Sequence, residues 1–173
     1  MKVALDKGQF GPWALVTGAS SGIGKEFARQ IAASGVNVVL VARRDVLLAE
    51  LGRAISQEFD VQYRALAMDL SQEGFIERLD DATYDLDIGL VVSNAGTGNP
   101  GEFLKHDRQL LQATLRLNTM AHLDITHHFG QKLGERGRGG IILVGALGAE
   151  NGIPCMANDR CSKSSASIRR PCR

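Results

Sequence analysis

Tyrosine is scarce in this sequence, and serine and cysteine are unevenly placed. The chain has two tyrosines, Tyr63 and Tyr84, and no serine between Ser93 and Ser162. All three cysteines, Cys155, Cys161 and Cys172, fall in the last 19 of its 173 residues. Three such cysteines without histidine partners fit neither a disulfide framework nor a zinc site. His106, His122, His127 and His128 show no metal-ligand spacing, so no metal is expected. No apolar run reaches the length of a membrane span. Met1 to Phe10 lacks the basic-then-apolar order of a secretory signal. Apolar residues make up 44% and charged residues 23%, which excludes a disordered or collagen-like chain. One cytoplasmic, globular domain with a substantial core is expected.

Charge is skewed along the chain. The last 14 residues, Arg160 to Arg173, hold four arginines, one lysine and no acid, a net +5. The first 159 hold 15 bases and 19 acids, a net −4. Residues 1–159 therefore read as the domain and 160–173 as a basic tail.

Short apolar runs alternate with amphipathic stretches. Trp13 to Thr17, Asn37 to Ala42, Val61 to Ala67, Leu86 to Ser93 and Ile141 to Val144 read as strands. Ile23 to Ala33, with Phe27, Ala28 and Ile31 on one face, reads as a helix stopped by Gly35. Asp45 to Phe59 reads as a helix with Asp45 as its N-cap. Gly74 to Ala82 reads as a short helix. Asp107 to Leu133 reads as a long, bent helix with Leu110, Leu111, Leu115, Met120 and Leu123 facing inward. Strands alternating with helices predict an α/β fold, a doubly wound parallel sheet of about five strands.

The strongest local signal is Thr17-Gly18-Ala19-Ser20-Ser21-Gly22-Ile23-Gly24, which follows a predicted strand and opens a predicted helix. Gly18 permits a tight turn, Gly22 lets a ligand approach the backbone, and Gly24 allows close packing of the helix. The free N–H groups at the helix start suit a pyrophosphate. At the end of the second strand, Ala42-Arg43-Arg44 stands where an acid would select NAD through the ribose 2′-hydroxyl. Guanidinium groups instead attract a 2′-phosphate, so NADP(H) is favoured over NAD(H). The plain alternative leaves Arg44 as a solvated surface charge.

The spacing of this glycine motif resembles that of the short-chain dehydrogenase/reductase family. Asp69-Leu70 is similar to the family's adenine contact. Ser93-Asn94-Ala95-Gly96 is similar to its Asn-Asn-Ala-Gly segment, with serine for the first asparagine. Asn118, in Leu117-Asn118-Thr119, is placed like its helix asparagine. The likeness runs from about Gly11 to Lys163 and implies a Rossmann-like fold. It also implies hydride transfer between a nicotinamide and a carbonyl or secondary alcohol, and a homo-oligomer for the complete family fold. No nucleic-acid partner is implied. By itself, Asn118 also fits a mid-helix polar residue bonded to backbone.

Two members of the family's four-residue relay are replaced. Lys163 matches the relay lysine and Asn118 its asparagine. Four residues before Lys163 stands Asp159 in place of tyrosine, and thirteen before that stands Ala146 in place of serine. A carboxylate with pKa about 3.9 is ionised at pH 7 and has no proton to donate, whereas tyrosine, at about 10, has one. The resemblance thus implies an oxidoreductase with impaired chemistry. The other readings are a non-catalytic NADP(H)-binding or subunit-pairing protein, and a fragment without function.

Beyond Asp159 the likeness fades. The stretch from Arg160 carries one large apolar residue, Ile168, and makes no amphipathic helix. It reads as a disordered basic tail, as a contact for nucleic acid or a membrane surface, or as translation out of frame. In the last case Arg160 to Ser164, written CGC TGC AGC AAA AGC, becomes Ala-Ala-Ala-Lys on loss of one base. A chain truncated there is expected to leave the fifth strand with an unpaired apolar edge.

Overall fold

The computed structural model describes residues 5–146. A short helix, α1 (Lys7–Phe10), precedes β1 (Trp13–Thr17). The chain then alternates through α2 (Gly22–Ala33), β2 (Asn37–Ala42), α3 (Asp45–Phe59), β3 (Tyr63–Ala67), α4 (Phe75–Asp81) and β4 (Ile88–Ser93). A single 3-10 turn, Phe103–Lys105, leads into α5 (Arg108–Leu115). A wide turn of π type, Arg116–Met120, joins α5 to α6 (Ala121–Arg136), and β5 (Gly140–Leu143) follows.

The five strands form one parallel sheet in the order β3-β2-β1-β4-β5. This is the doubly wound, Rossmann-like arrangement that the alternation predicted. Period-two alternation sends side chains to opposite faces. Ala14, Val16, Val38, Leu40, Leu90 and Val92 pack with Ala28, Ile31, Leu48 and Ile55 of α2 and α3. Leu15, Val39, Val41 and Val91 pack on the other face with Phe75 and Leu79 of α4 and Ile125 and Phe129 of α6. Both faces are covered, which explains why β2 and β4 read as unbroken apolar runs. Order reverses at β1, so the carboxyl ends of β1 and β4 flank a crevice.

Several boundaries move. Arg44, not Asp45, is the N-cap of α3, and Asp45 is its first helical residue, where a carboxylate complements the helix dipole. The third strand starts at Tyr63, because Gln62 turns its N–H to the Asn37 side chain at 2.9 Å. The fourth strand starts at Ile88 and the fifth at Gly140.

The larger correction concerns the long helix. Leu110, Leu115, Met120 and Leu123, all expected inside, are exposed, with Leu123 at 57%. The inward face carries Thr114, Asn118, Ala121, His122, Ile125, Phe129 and Leu133. Hydrogen bonds decide the orientation. Asn118 and His122 are fastened to the segment after β4, and a buried polar group that has partners is tolerated where an unpaired one is not. The π turn lies at Asn118 and resets the helical phase there.

Ion pairs tie the outer elements together. Arg64 of β3 grips Asp85, Arg136 of α6 grips Asp87, and Asp80 of α4 accepts from both Lys132 and His128 of α6. The bond from Lys132 chiefly holds the Asp80 carboxyl below its ordinary range, against the opposing effect of burial, and His128 adds to it. Arg64 and Arg136 do the same for Asp85 and Asp87. A carboxyl depressed in the fold contributes stability above its unfolded pKa, near 4, and loses that contribution as pH falls through the folded value. Stability in urea titrations is therefore expected to fall as pH drops below about 4. Asp80→Asn should flatten that fall, and an unchanged pH slope in the variant would contradict the role given to Asp80.

Candidate functional site

The turn after β1 is built on glycine. Gly18 has φ of +66°, and a Cβ there would stand 2.8 Å from the Asn94 side chain. A Cβ on Gly24 would press on the Gly18 carbonyl and come within 2.5 Å of Asn94 Nδ2. These two glycines let the start of α2 close over the end of β1. Gly22 has φ of +56° with open space beside it.

Thr17 joins the two central strands. Its hydroxyl accepts from the backbone N–H groups of Asn94 and Ala95 at 2.9 and 3.0 Å and donates to the Val92 carbonyl at 3.3 Å. Asn94 returns a bond from Nδ2 to the Thr17 carbonyl at 2.9 Å. The segment after β4 is thereby pinned against the glycine turn.

Between them lies a cleft of about 440 Å³. It is lined by Gly18, Ser20, Ser21, Ile23, Arg43, Arg44, Asp69, Leu70, Asn94, Ala95 and Gly96, all singled out in the sequence. Gly22 and Gly24 shape the turn without lining the cleft. Ala42, Met68 and Leu117 also line it. They carry no polar signal that sequence reading could have used.

Arg44 is exposed, and its guanidinium is engaged by two hydroxyls. Its guanidinium donates to Ser20 Oγ at 2.9 Å and Ser21 Oγ at 2.8 Å, across the mouth of the glycine turn. Ser21, the N-cap of α2, makes no side-chain cap bond, and the first turn holds no acid. Asp69 accepts from the Ser71 N–H at 2.9 Å and from the Ser71 hydroxyl at 2.7 Å. Burial pushes the Asp69 carboxyl up, but these bonds and the Arg43 charge together hold it below the usual range.

Asn118 is 1% exposed. Its Oδ1 accepts from the Thr97 N–H at 2.9 Å, and its Nδ2 donates to the Thr97 carbonyl at 2.8 Å. His122, one turn on, bonds Ser93 Oγ and the Ala95 carbonyl. Sequence reading tested the histidines only for metal spacing and missed this contact. The signal was present as Ser93 standing for asparagine and a histidine four residues beyond Asn118. Ala146 is exposed at the end of the described segment. Asp159, Lys163 and the basic tail lie outside it. Among the described residues no cluster of acids, histidines or cysteines could hold a metal ion. No helix among them is long and apolar enough to cross a membrane.

A sequence profile of the family described as short chain dehydrogenase matches residues 12–167. The chain belongs to this family. Over 156 residues it is 35% identical to a 7beta-hydroxysteroid dehydrogenase of Clostridium sardiniense, covering 90% of this chain and 60% of that one. Over 162 residues it is 35% identical to a very-long-chain 3-oxoacyl-CoA reductase of Pyricularia oryzae, covering 91% and 49%. The solved structure of a short-chain dehydrogenase from Sphingobium yanoikuyae in complex with NADPH matches with a TM-score of 0.84 at 28% identity, covering 90% and 61%. The chain thus spans about half to three-fifths of the length of these family members.

The Thr17 hydroxyl is expected to be the main polar tie within the site. Thr17→Val keeps the shape but leaves two N–H groups without their acceptor. It should cost about 1–3 kcal/mol in urea unfolding. Thr17→Ser should cost less than half as much, and equal losses in the two variants would show that the hydroxyl is not what matters.

Proposed function

We propose that this chain is the NADP(H)-binding part of a short-chain oxidoreductase. The reaction is hydride transfer between a nicotinamide and a carbonyl or secondary alcohol, impaired here by Ala146 and Asp159. The observation that carries the reading is the pairing of an uncapped α2 N-terminus with Arg44 across one cleft. The first N–H groups of a helix have no acceptor within it. An anion supplies one, and the helix dipole favours it. Open space at Gly22 leaves the backbone accessible. A dinucleotide phosphate fits these groups.

Preference for NADP(H) over NAD(H) rests on Arg43 and Arg44 lining the cleft where an acid would otherwise receive the ribose hydroxyls. The two serines hold the Arg44 guanidinium in place, so less freedom is lost when it meets a phosphate. When bound, the dinucleotide supplies the hydride chemistry. The chain's own residues bind and orient it. The hydroxysteroid and oxoacyl names of the relatives support a carbonyl or secondary-alcohol substrate. Exposed Leu115, Met120 and Leu123 along α5 and α6 support self-association.

Proton transfer is where the chain departs. Ala146 offers no hydroxyl, and an aspartate, whose free carboxyl has a pKa of about 3.9, is a poor proton donor at pH 7 where a tyrosine is expected at position 159. Loss of an acid/base group costs roughly 10²- to 10⁴-fold in rate.

Fluorescence titration is expected to show NADPH binding more tightly than NADH. Replacing Arg43 and Arg44 together by alanine should weaken NADPH about 10- to 100-fold and NADH by less than about threefold. Equal affinity for the two dinucleotides would overturn the preference, and no binding of either would overturn the reading itself. In a turnover assay over a panel of carbonyl compounds, Ala146→Ser with Asp159→Tyr should raise the rate at least about 10²-fold. Unchanged turnover in the double variant would remove the claim of impairment.

A further inference from the structure

We infer that His122 is a positioning residue of the cleft, fixing the Ala95 peptide from the helix side as Thr17 fixes it from β1. The inference rests on the dinucleotide reading above and deepens it. His122 is 8% exposed and uses both ring nitrogens. Its Nδ1 lies 2.7 Å from Ser93 Oγ and its Nε2 lies 3.0 Å from the Ala95 carbonyl oxygen. A carbonyl oxygen only accepts, so Nε2 carries a proton and donates. In the neutral ring Nδ1 then accepts from the Ser93 hydroxyl. The order is Ser93 hydroxyl to His122 to Ala95 carbonyl, linking the last residue of β4 through α6 to the segment that follows it.

Ala95 is thus held on both sides. Its N–H donates to the Thr17 hydroxyl at 3.0 Å, and its carbonyl receives the imidazole. Asn118, which shares the buried face with His122, holds the Thr97 N–H and carbonyl. Ala95 and Gly96 line the cleft, so the two side chains set one of its walls. Burial alone would require both nitrogens to find partners; what points to positioning is that one partner is the backbone of a cleft-lining residue. A protonated ring would donate from both nitrogens with Ser93 accepting, so both contacts survive the charge. The consequence to read is therefore affinity and local order, not a pH switch.

The test uses the full chain with His122→Phe, which keeps a ring, His122→Gln, which keeps a terminal N–H donor, and the milder Ser93→Ala. Amide hydrogen exchange without added dinucleotide is read at residues 93–97, and NADPH affinity by fluorescence. His122→Phe is expected to speed exchange at Ala95 to Thr97 and weaken NADPH, each about tenfold. Ser93→Ala should act about threefold in the same direction. His122→Gln should restore both readouts to within about threefold of the parent chain. The inference is overturned if exchange at 93–97 is unchanged in folded His122→Phe, or rises no more than in the rest of the sheet. It is also overturned if His122→Gln fares no better than His122→Phe. If His122→Phe does not fold, Ser93→Ala decides by the same comparison. Failure of the parent chain to bind NADPH overturns the dinucleotide reading instead, and the exchange comparison still decides the clamp.

Discussion

One hydroxyl group, that of Thr17, holds the carboxyl ends of β1 and β4 together. It accepts from two consecutive N–H groups, of Asn94 and Ala95, and donates to Val92. These strands are neighbours in the sheet although three crossover connections separate them in sequence. Past their ends the ladder stops, and each backbone group needs a new partner. Thr17 and Asn94 supply those partners reciprocally, so the chain can leave both strands at once and open a crevice without orphaned polar groups. The glycine turn follows from the same constraint. Gly18 and Gly24 must lack side chains because Asn94 occupies the space their Cβ atoms would take.

The parts legible in the sequence are those governed by one physical rule at a time. Apolar runs of five or six residues in β1, β2 and β4 admit one outcome, a strand covered on both faces. The glycine motif between a strand and a helix likewise admits few alternatives. The α5–α6 face was misread because two rules compete there. Leucine spacing favours burying Leu110, Leu115 and Leu123, whereas polar partners after β4 favour burying Thr114, Asn118 and His122. The second wins, because those side chains complete the hydrogen bonds of a segment that has left the sheet. A pattern of apolar residues carries no trace of where unpaired backbone lies in space. Arg44 was open to two readings for the same reason: its serine partners are 23 and 24 residues away in sequence.

The cleft and the two replaced relay positions lie apart in sequence. Every described residue that lines the cleft falls between Gly18 and Leu117, on elements closed by the two central clusters. The family resemblance gives the relay to positions 118, 146, 159 and 163, and the two replaced members, Ala146 and Asp159, come after the cleft residues in sequence. Ala146, exposed at the end of the described segment, takes no part in the glycine turn, the Arg44 contacts or the Thr17 tie.

The buried polar face of α5 and α6 has a further consequence for the surface. A helix has one inner face, and here much of it is occupied by Thr114, Asn118 and His122. Apolar side chains on the same stretch must then point outward, which is where Leu115, Met120 and Leu123 are found. An exposed apolar row on a helix ordinarily signals either poor design or a missing partner. In this fold it is also the geometric complement of the clamp: fastening Ala95 and Thr97 from one side of the helix turns the leucines to the other. Ordering of the cleft wall and exposure of that row are therefore two results of one orientation of the helix.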